Sequence, residues 1–213
     1  MIIFLSNKSE IKNMFEVEIK VKIPDPEEIR QKIRTLNGVY KTSLYHEDTY
    51  FNMPKGLRDF TITDEAIRLR KSEEFIGNSK EMAHKSSYFL TYKGNKLDLS
   101  TKTREEIEVK VNNFEKMFKI LNVLGFQEVL TIQKERELYE ITYLDKKVEL
   151  LVDYIPILQG FYMELEMIVN SIEEINDARD FLFDFLENLD ISAKNSIRKS
   201  YLELIIEQEK GSK

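Results

Sequence analysis

The chain has 213 residues, of which 38 are acidic and 32 basic, so its formal net charge is −6 at pH 7. Charges of both signs are interleaved along the sequence, which argues against a nucleic-acid surface with its clustered Lys and Arg. Cysteine does not occur, so disulfides and thiolate metal sites are excluded, and any metal must be held mainly by oxygen, which favours Mg²⁺ or Mn²⁺.

The length predicts one large domain. The sequence contains no apolar run of transmembrane length, and residues 1–5 are too few for a signal-peptide core and lack a preceding basic segment. We therefore expect a cytoplasmic protein that does not bind a membrane. Because Met14 stands directly before the first predicted strand, residues 1–13 are expected to be a poorly ordered leader and residues 14–213 the folded domain.

Residues 15–23 alternate without interruption between apolar and charged side chains, which predicts a strand. Its polar face carries Glu16, Glu18, Lys20 and Lys22. Such a face is commonly solvated in an antiparallel sheet. Alternatively, two carboxylates beside two ammonium groups could share a metal ion and the anion that it carries. The same charged alternation recurs on four later strands, which favours the second interpretation.

Seven further strands are predicted in chain order from the alternation of apolar and polar residues. They cover residues 39–53, 65–71, 88–93, 102–111, 126–142, 146–153 and 160–169. Residues 72–86 are polar and aperiodic, which predicts a loop.

Four helices are predicted from apolar stripes and from the residues that start and stop helices. The expected caps and stops are Asp25 and Gly38 for the first helix, and Asn113 and Gly125 for the second. The third helix, over residues 171–189, begins with Ser171 and Glu174 at capping-box spacing. The last helix covers residues 196–207.

This order of elements predicts an α+β protein with about eight mostly antiparallel strands, nearly all of them charged on one face and apolar on the other. An open, solvated sheet would fit that pattern, and so would a closed barrel with a polar lumen. The apolar stripes of the helices need apolar sheet surface to cover. We therefore expect a closed barrel with the helices packed on its outside and the charged faces turned inward.

The charged residues of such a lumen would form one acidic set and one basic set. The acids are Glu16, Glu18, Glu106, Glu108, Asp153, Glu164 and Glu166. The bases are Lys20, Lys22, Arg68, Arg70, Lys93, Arg104, Lys134 and Arg136. Like charges cannot share a low-dielectric space without compensation. A triphosphate with Mg²⁺ would satisfy both sets, because arginine binds phosphoryl oxygens and the metal bridges carboxylate to phosphate.

Six segments, in order, resemble motifs of the CYTH superfamily, which groups class IV adenylyl cyclases with thiamine triphosphatases and inorganic triphosphatases. They are the ExExK signature in residues 16–20, paired arginines in 66–70, a basic strand in 91–94, RxExE in 104–108, KxR in 134–136, and Asp153 with residues 158–166. The resemblance runs from Phe15 to the last helix. It is strongest to the archaeal class IV adenylyl cyclase-like branch.

The resemblance implies a triphosphate tunnel, an eight-stranded antiparallel closed β-barrel that holds its substrate inside. The implied metal ligands are Glu16, Glu18, Asp153, Glu164 and Glu166. The implied substrate-binding residues are Lys20, Arg68, Arg70, Lys93, Arg104, Lys134 and Arg136. Glu16, Glu18, Lys20 and Arg136 are the expected catalytic residues. Arg104 also fits a structural charge network with Glu106 and Glu108. Gln159 departs from the family pattern, and a bulge there would shift Glu164 relative to Asp153.

Three functions fit this resemblance. The first is a class IV type adenylyl cyclase, converting ATP to cyclic AMP and pyrophosphate. The second is a triphosphatase that hydrolyses an inorganic, thiamine or nucleoside triphosphate, and the third is a non-catalytic triphosphate-binding module. Because all five acidic positions are filled, the module is the least favoured. His46 is expected to be structural or orienting rather than a base. A homodimer is left open.

Overall fold

The computed structural model describes residues 15–75 and 85–211, and within them eight antiparallel strands close into a barrel. The strands are β1 (Phe15–Ile23), β2 (Val39–Asn52), β3 (Ala66–Phe75), β4 (Lys85–Lys93), β5 (Arg104–Val111), β6 (Gln127–Tyr143), β7 (Lys146–Ile155) and β8 (Gly160–Val169). Their order around the barrel is β1-β5-β4-β3-β2-β6-β7-β8, and β8 pairs again with β1. The predicted α+β class and closed antiparallel barrel are confirmed.

Five α-helices within the described residues accompany the barrel. They are α1 (Pro26–Thr35), α2 (Phe60–Thr63), α3 (Phe114–Val123), α4 (Ile175–Asn188) and α5 (Tyr201–Gly211). None of the helices in the described part of the chain is long and apolar enough to cross a membrane.

The main core lies between the outer face of the barrel and helices α1 and α4. Val17, Ile19 and Val21 of β1 pack there against a cluster that includes Leu182 and Phe185 of α4. Each such side chain contributes about 1.5–3 kcal/mol when it is fully buried. Since alternate residues of a strand point to opposite faces, the burial of these residues outside turns Glu18 and Lys20 into the lumen.

The barrel closes at a weak seam between β1 and β5. These strands pair only at Phe15 with Glu105 and at Glu16 with Arg104. Beyond that point, other segments take over the backbone hydrogen bonds of β1. The Lys102 amide donates to Glu18 O at 3.0 Å, and the Ile197 amide donates to Lys20 O at 2.7 Å. The loop over residues 94–103 and the segment before α5 therefore complete the barrel wall.

Helix α5 covers one end of the lumen. Tyr201 and Ile205 of this helix join a buried cluster with Tyr50, Ile132 and Tyr162. The last three lie on β2, β6 and β8, on the same strand faces as the charged residues that line the lumen. This end of the barrel is therefore apolar, and the charged part of the lumen lies deeper inside.

The first helix begins as predicted and ends by a different residue. The Asp25 side chain accepts a hydrogen bond from the Glu27 amide, which confirms the cap. At the other end, Asn37 rather than Gly38 adopts the left-handed conformation, with φ 55°. The Gly38 amide donates to Ile33 O at 2.8 Å, as in a Schellman motif. A Cβ on Gly38 would lie 2.5 Å from Ile33 Cγ2, so this glycine is required for space.

The predicted loop over residues 72–86 is wrong at both ends. Strand β3 continues to Phe75 and β4 begins at Lys85, with Ser72 opposite Ser87 in the ladder. Backbone pairing carries these polar residues into strands although their side chains show no alternation. The remainder of that prediction, residues 76–84, lies outside the described residues, as does the predicted leader.

The C-terminal helices start later than predicted. Residues 172–174 form a 3₁₀ turn before α4, Ser171 makes no side-chain cap, and Glu174 instead accepts from the Asn170 amide at 3.0 Å. The capping box predicted there is wrong. One does occur at α5, where the Glu203 amide donates to Ser200 Oγ and the Ser200 amide donates to the Glu203 carboxylate. Residues 196–200 precede α5 because their backbone and side chains bind the barrel wall.

Candidate active site

The lumen holds a cavity of about 560 Å³ that brings acidic and basic residues together. Glu16, Arg68, Arg136 and Glu164, from four different strands, all line it. The other sequence-predicted residues on its wall are Arg70, Lys93, Arg104, Lys134 and Glu166. Glu18, Lys20 and Asp153 are buried and are not part of this lining. The lumen therefore brings charges from six strands around one space.

Three carboxylates form a tight group on β1 and β8. Glu16, Glu18 and Glu166 each offer an oxygen within 4.8 Å of the other two. Glu18 and Glu166 are direct partners in the antiparallel ladder, and Glu16 follows on the same face of β1. Burial and the neighbouring Glu164 raise the pKa of Glu18 to about 7. Burial and Glu16 raise the pKa of Glu166 well above its usual value. These crowded oxygens fit a hard divalent cation.

The two other predicted metal ligands are held in ion pairs instead. Arg136 donates from Nε and Nη2 to the two oxygens of Asp153, at 2.6 Å each, and also contacts Glu164. Tyr201 Oη donates to Asp153 at 2.9 Å. Arg136 and Asp153 face each other directly in the β6–β7 ladder, which explains the bidentate geometry. Of the five predicted ligands, three converge and two are paired with an arginine.

Lys102 enters the lumen from the loop between β4 and β5, and the sequence interpretation did not include it in the site. Its ammonium donates to Glu18 and, at 3.0 Å, to Glu164. Burial lowers the pKa of Lys102, but Glu164 and Glu18 raise it by more, so the net shift is upward. The side chain therefore remains a buried cation between β1 and β8.

Lys20 is the buried cation that lacks such a partner. Its side chain is completely buried, and within the described residues Lys20 Nζ makes no hydrogen bond. The ammonium lies 4.1 Å from the centre of the Tyr201 ring, an arrangement that stabilises a cation only modestly. Burial and the nearby Lys102 charge hold the pKa of Lys20 well below its usual value. An incoming anion would supply the missing partner.

Asp48, another residue that the sequence interpretation did not select, forms ion pairs with the predicted phosphate-binding arginines. Arg70 donates to both oxygens of Asp48, at 2.6 and 2.7 Å. Arg68 lies 3.8 Å from the same carboxylate and donates to Thr91, while its Nε has no hydrogen-bond partner among the described residues. Burial raises the pKa of Asp48, but Arg70 and Arg68 overcome this and hold it well below its usual value.

The remaining predicted bases differ in how they are held. Burial and Arg136 lower the pKa of Lys134 to about 8. Lys93 is paired with Glu106, and Arg104 donates to Gly94 O at 3.2 Å. Lys134 is therefore the base in this group that is poised to release or accept a proton near neutral pH.

The predicted displacement at Gln159 does not occur. Gln159 ends the 3₁₀ turn over Pro156–Leu158 in the left-handed conformation, with φ 47°. The β7–β8 ladder then runs without a shift from Ile155 opposite Gly160 onward. The turn absorbs the additional residue, so the position of Glu164 relative to Asp153 is that of a regular ladder.

A second cavity of about 310 Å³ continues the lumen on its other side. Both cavities share Arg70, Glu108, Arg136 and Glu166 as lining residues. The second is lined in addition by four apolar residues, two serines and three charged residues: Leu44, Phe89, Leu138, Leu151, Ser72, Ser87, Glu74, Lys85 and Glu149. His46 also lines it, is almost fully buried, and has an Nδ1 without a hydrogen-bond partner among the described residues. Burial and Arg70 hold the pKa of His46 well below its usual value, so the ring is neutral.

The sequence interpretation did not select Asp48, Lys102 and Tyr201. These three residues differ in whether a sequence pattern could have revealed them. Asp48 alternates with His46 and Tyr50 on β2, so strand periodicity could have revealed it. Lys102 stands in an irregular loop, and Tyr201 begins a helix. Lys102 nevertheless has the same parity as Arg104 and Glu106 in the predicted strand over residues 102–111, so the alternation could have revealed it, whereas for Tyr201 only the tertiary contacts indicate a position in the lumen.

A closed eight-stranded barrel with carboxylates and cations facing one another across its lumen defines the triphosphate-tunnel class of protein. The family model described as "CYTH domain" matches residues 14–201. The chain belongs to the CYTH family, whose members are adenylyl cyclases and triphosphatases, and is classed with them as an enzyme.

Similarity to individual proteins extends over most of the chain. A Methanocaldococcus jannaschii protein named "Putative adenylate cyclase MJ0240" is 42% identical over 192 residues, covering 90% of this chain and 98% of its own. The structure of the Pyrococcus horikoshii protein PH1819 is 38% identical with a TM-score of 0.77, covering 91% of this chain and 99% of that one. A Hippeastrum protein described as having a dominant triphosphatase activity shares the fold, with 13% identity and a TM-score of 0.58, over 91% of this chain and 96% of its own.

Proposed function

We propose that the protein is a metal-dependent enzyme that processes a triphosphate inside its barrel, with conversion of ATP to cyclic AMP and pyrophosphate as its reaction. The observation that carries the proposal is the coexistence of an unpartnered cation and crowded carboxylates in one lumen. Lys20 has no hydrogen-bond partner in the described part of the chain, while Glu16, Glu18 and Glu166 crowd together. A guest that brings both a cation and an anion relieves both imbalances, and a metal–triphosphate complex is such a guest.

Three carboxylates would hold the metal in this proposal: Glu16, Glu18 and Glu166. Bound there, a Mg²⁺ or Mn²⁺ ion would lower the pKa of an attacking hydroxyl and neutralise the leaving group. Lys20, Arg68 and Lys134 would bind the phosphate chain. Lys134, with a pKa of about 8, can hold or release a proton at a phosphoryl oxygen. Asp153 and Glu164 would orient Arg136 through its ion pairs.

The second cavity supports a nucleotide over a bare phosphate chain. It joins the ionic part of the lumen at Arg70 and Arg136 but carries Leu44, Phe89 and Leu138 on its wall. Apolar side chains beside hydroxyl and charged groups suit the base and the sugar hydroxyls of a nucleoside. The 42% identical relative named as an adenylate cyclase supports the same choice.

Hydrolysis by a triphosphatase is the alternative reaction. The same carboxylate group and the same unpartnered Lys20 suit attack by water on the terminal phosphorus as well as attack by a ribose hydroxyl. The two reactions differ in the nucleophile, in the phosphorus that it attacks and in the leaving group, and the same charged residues of the lumen suit both.

Incubation of the pure protein with ATP and Mg²⁺ or Mn²⁺, with separation of the products, tests the proposal. We expect cyclic AMP and pyrophosphate in equal amounts. ADP and phosphate would favour the triphosphatase. Tight binding of ATP without turnover would identify a binding module, and failure to bind ATP or tripolyphosphate would contradict the proposal altogether.

A further inference from the structure

The loop over residues 94–103 is fastened to the rest of the molecule at Lys96 and Asp98, which precede Lys102, and at the Lys102 amide itself. Arg179 of α4 donates to the Asp98 side chain at 2.9 Å, and Arg198 donates to the Asp98 carbonyl at 2.9 Å. Lys96 binds the carboxylate of Glu203 on α5 at 3.0 Å. The Lys102 amide itself donates to the backbone of β1. The loop therefore holds the Lys102 main chain in place at the seam of the barrel.

From this fixed position, the Lys102 ammonium binds carboxylates of two strands. It donates to Glu18 on β1 and to Glu164 on β8, and only about 10% of its side chain is exposed. Glu18 also belongs to the three-carboxylate group with Glu16 and Glu166. A cation held by that group therefore competes with Lys102 for Glu18.

Lys20 is a second buried lysine in this region, and its ammonium is held differently from that of Lys102. Lys20 stands directly opposite Glu164 in the β1–β8 ladder, yet its ammonium has no hydrogen-bond partner in the described part of the chain. The carboxylate oxygens that it could have used are engaged by Lys102 and Arg136. Two ammonium groups thus lie in one acidic region. Within the described residues, the Lys102 ammonium has hydrogen-bond partners and the Lys20 ammonium has none.

We propose that Lys102 is a tethered cation that holds Glu18 until a triphosphate binds, and that its ammonium then moves to a phosphoryl oxygen and releases Glu18 to a divalent cation. The proposal rests on the proposed function and adds a residue that couples its two ligands. A lysine suits this role because its ammonium is a compact charge on a flexible stem with three rotatable donors. Metal and triphosphate should then strengthen each other's binding by the same factor, as linkage requires.

Mn²⁺ binding, followed by the electron paramagnetic resonance signal of the free ion, tests the first half of the proposal. Without any phosphate present, Lys102→Met should bind Mn²⁺ about 10-fold more tightly than the wild-type protein, because Glu18 no longer has a competing cation. Lys102→Arg retains the charge and should behave like the wild type. Lys119→Met, on the exposed side of α3, matches the change in net charge and should have no effect. Equal Mn²⁺ affinity in wild type and Lys102→Met overturns the proposal, as does an Lys102→Arg variant that behaves like Lys102→Met.

The second half is tested with the bis-methylene analogue of tripolyphosphate, which neither cyclisation nor hydrolysis can consume. The analogue should tighten Mn²⁺ binding to the wild-type protein about 10-fold, and this gain should disappear in Lys102→Met. If Lys102→Met fails to fold, as judged by circular dichroism, the wild-type measurement alone decides, since absence of coupling there contradicts the proposal. Binding of both ligands with unchanged behaviour in the variant refutes only the role of Lys102. A wild-type protein that binds neither ligand refutes the proposed function as well.

Discussion

Two regions of the lumen handle buried charge in opposite ways. In the paired region, Asp48 with Arg70 and Asp153 with Arg136 form bidentate ion pairs at 2.6–2.7 Å. In the unpaired region, Glu16, Glu18 and Glu166 crowd together beside Lys20, which has no hydrogen-bond partner among the described residues.

The contrast distinguishes residues that stabilise the barrel through ion pairs from residues that we propose bind a ligand. A buried charge with a bidentate partner has its desolvation compensated within the protein. The crowded carboxylates are compensated less completely, by Lys102 at Glu18 and by Arg136 at 3.9 Å from Glu166, so protons or a bound cation would stabilise them further. The paired region should therefore respond to mutation through stability, and the unpaired region through binding and catalysis.

The largest expected effect is on the stability of the paired region. Asp48→Asn leaves Arg70 and Arg68 buried without their carboxylate, which should lower the free energy of unfolding by about 3–5 kcal/mol. Urea denaturation followed by circular dichroism measures this change. Glu166→Gln is the matched control from the unpaired region, and an equal loss in both variants would show that the two regions do not differ.

The pH dependence of stability should have opposite signs in the two regions. Asp48 has a lowered pKa in the folded state, so its contribution is present above about 3.8, its ordinary value, and is lost as pH falls below it. Glu18 has a folded pKa of about 7 against an ordinary 4.5, so its contribution is present at low pH and is lost between about 4.5 and about 7. The loss of the Glu18 contribution over this pH range lowers the free energy of unfolding by about 3 kcal/mol.

Chelator-treated protein is the material for this measurement, with the free energy of unfolding determined from pH 3 to pH 8. Asp48→Asn should flatten the acid side of the profile, and Glu18→Gln should reduce the decline above about pH 4.5, to which the raised pKa of Glu166 also contributes. If both variants change the same part of the profile, the assignment of opposite signs is wrong.

A somewhat smaller effect is expected on catalysis when the unpartnered cation is removed. Lys20→Met should reduce kcat/KM by about 100-fold, or about 2.7 kcal/mol, because a buried donor aimed at a charged transition state is lost. Its melting temperature should stay close to that of the wild type, since Lys20 has no hydrogen-bond partner to leave behind. Unchanged turnover with a large loss of stability would place Lys20 in the paired region instead.

The smallest expected effect is on the metal-free stability of the unpaired region. Glu166→Gln removes one of three crowded carboxylates, so the free energy of unfolding should change by less than about 1 kcal/mol, and in the stabilising direction. Glu164→Gln, which loses contacts with Arg136 and Lys102, should be clearly destabilised. Thermal melts with and without Mn²⁺ distinguish the variants, and Glu166→Gln, which lacks a proposed metal ligand, should gain less from the metal than the wild type.

The strands and the inner faces of the barrel could be predicted from the sequence, because alternation is a local property. Residues 15–23 show it without interruption, and the structure places Val17 and Ile19 in the core and Lys20 in the lumen. Prediction failed where no local pattern exists, as at the ends of β3 and β4 and at the start of α5.

The sequence alone indicated that the charged faces of the strands turn inward, because the strand period and the apolar stripes of the helices favour that arrangement. Only the tertiary structure decided which acid meets which base. Glu166 joins Glu16 and Glu18 because β8 pairs with β1, whereas Asp153 is held by Arg136 because β7 pairs with β6. Lys102 reaches Glu18 and Glu164 from the loop between β4 and β5. Strand register and barrel closure join residues far apart in the chain, and no local pattern encodes those distances.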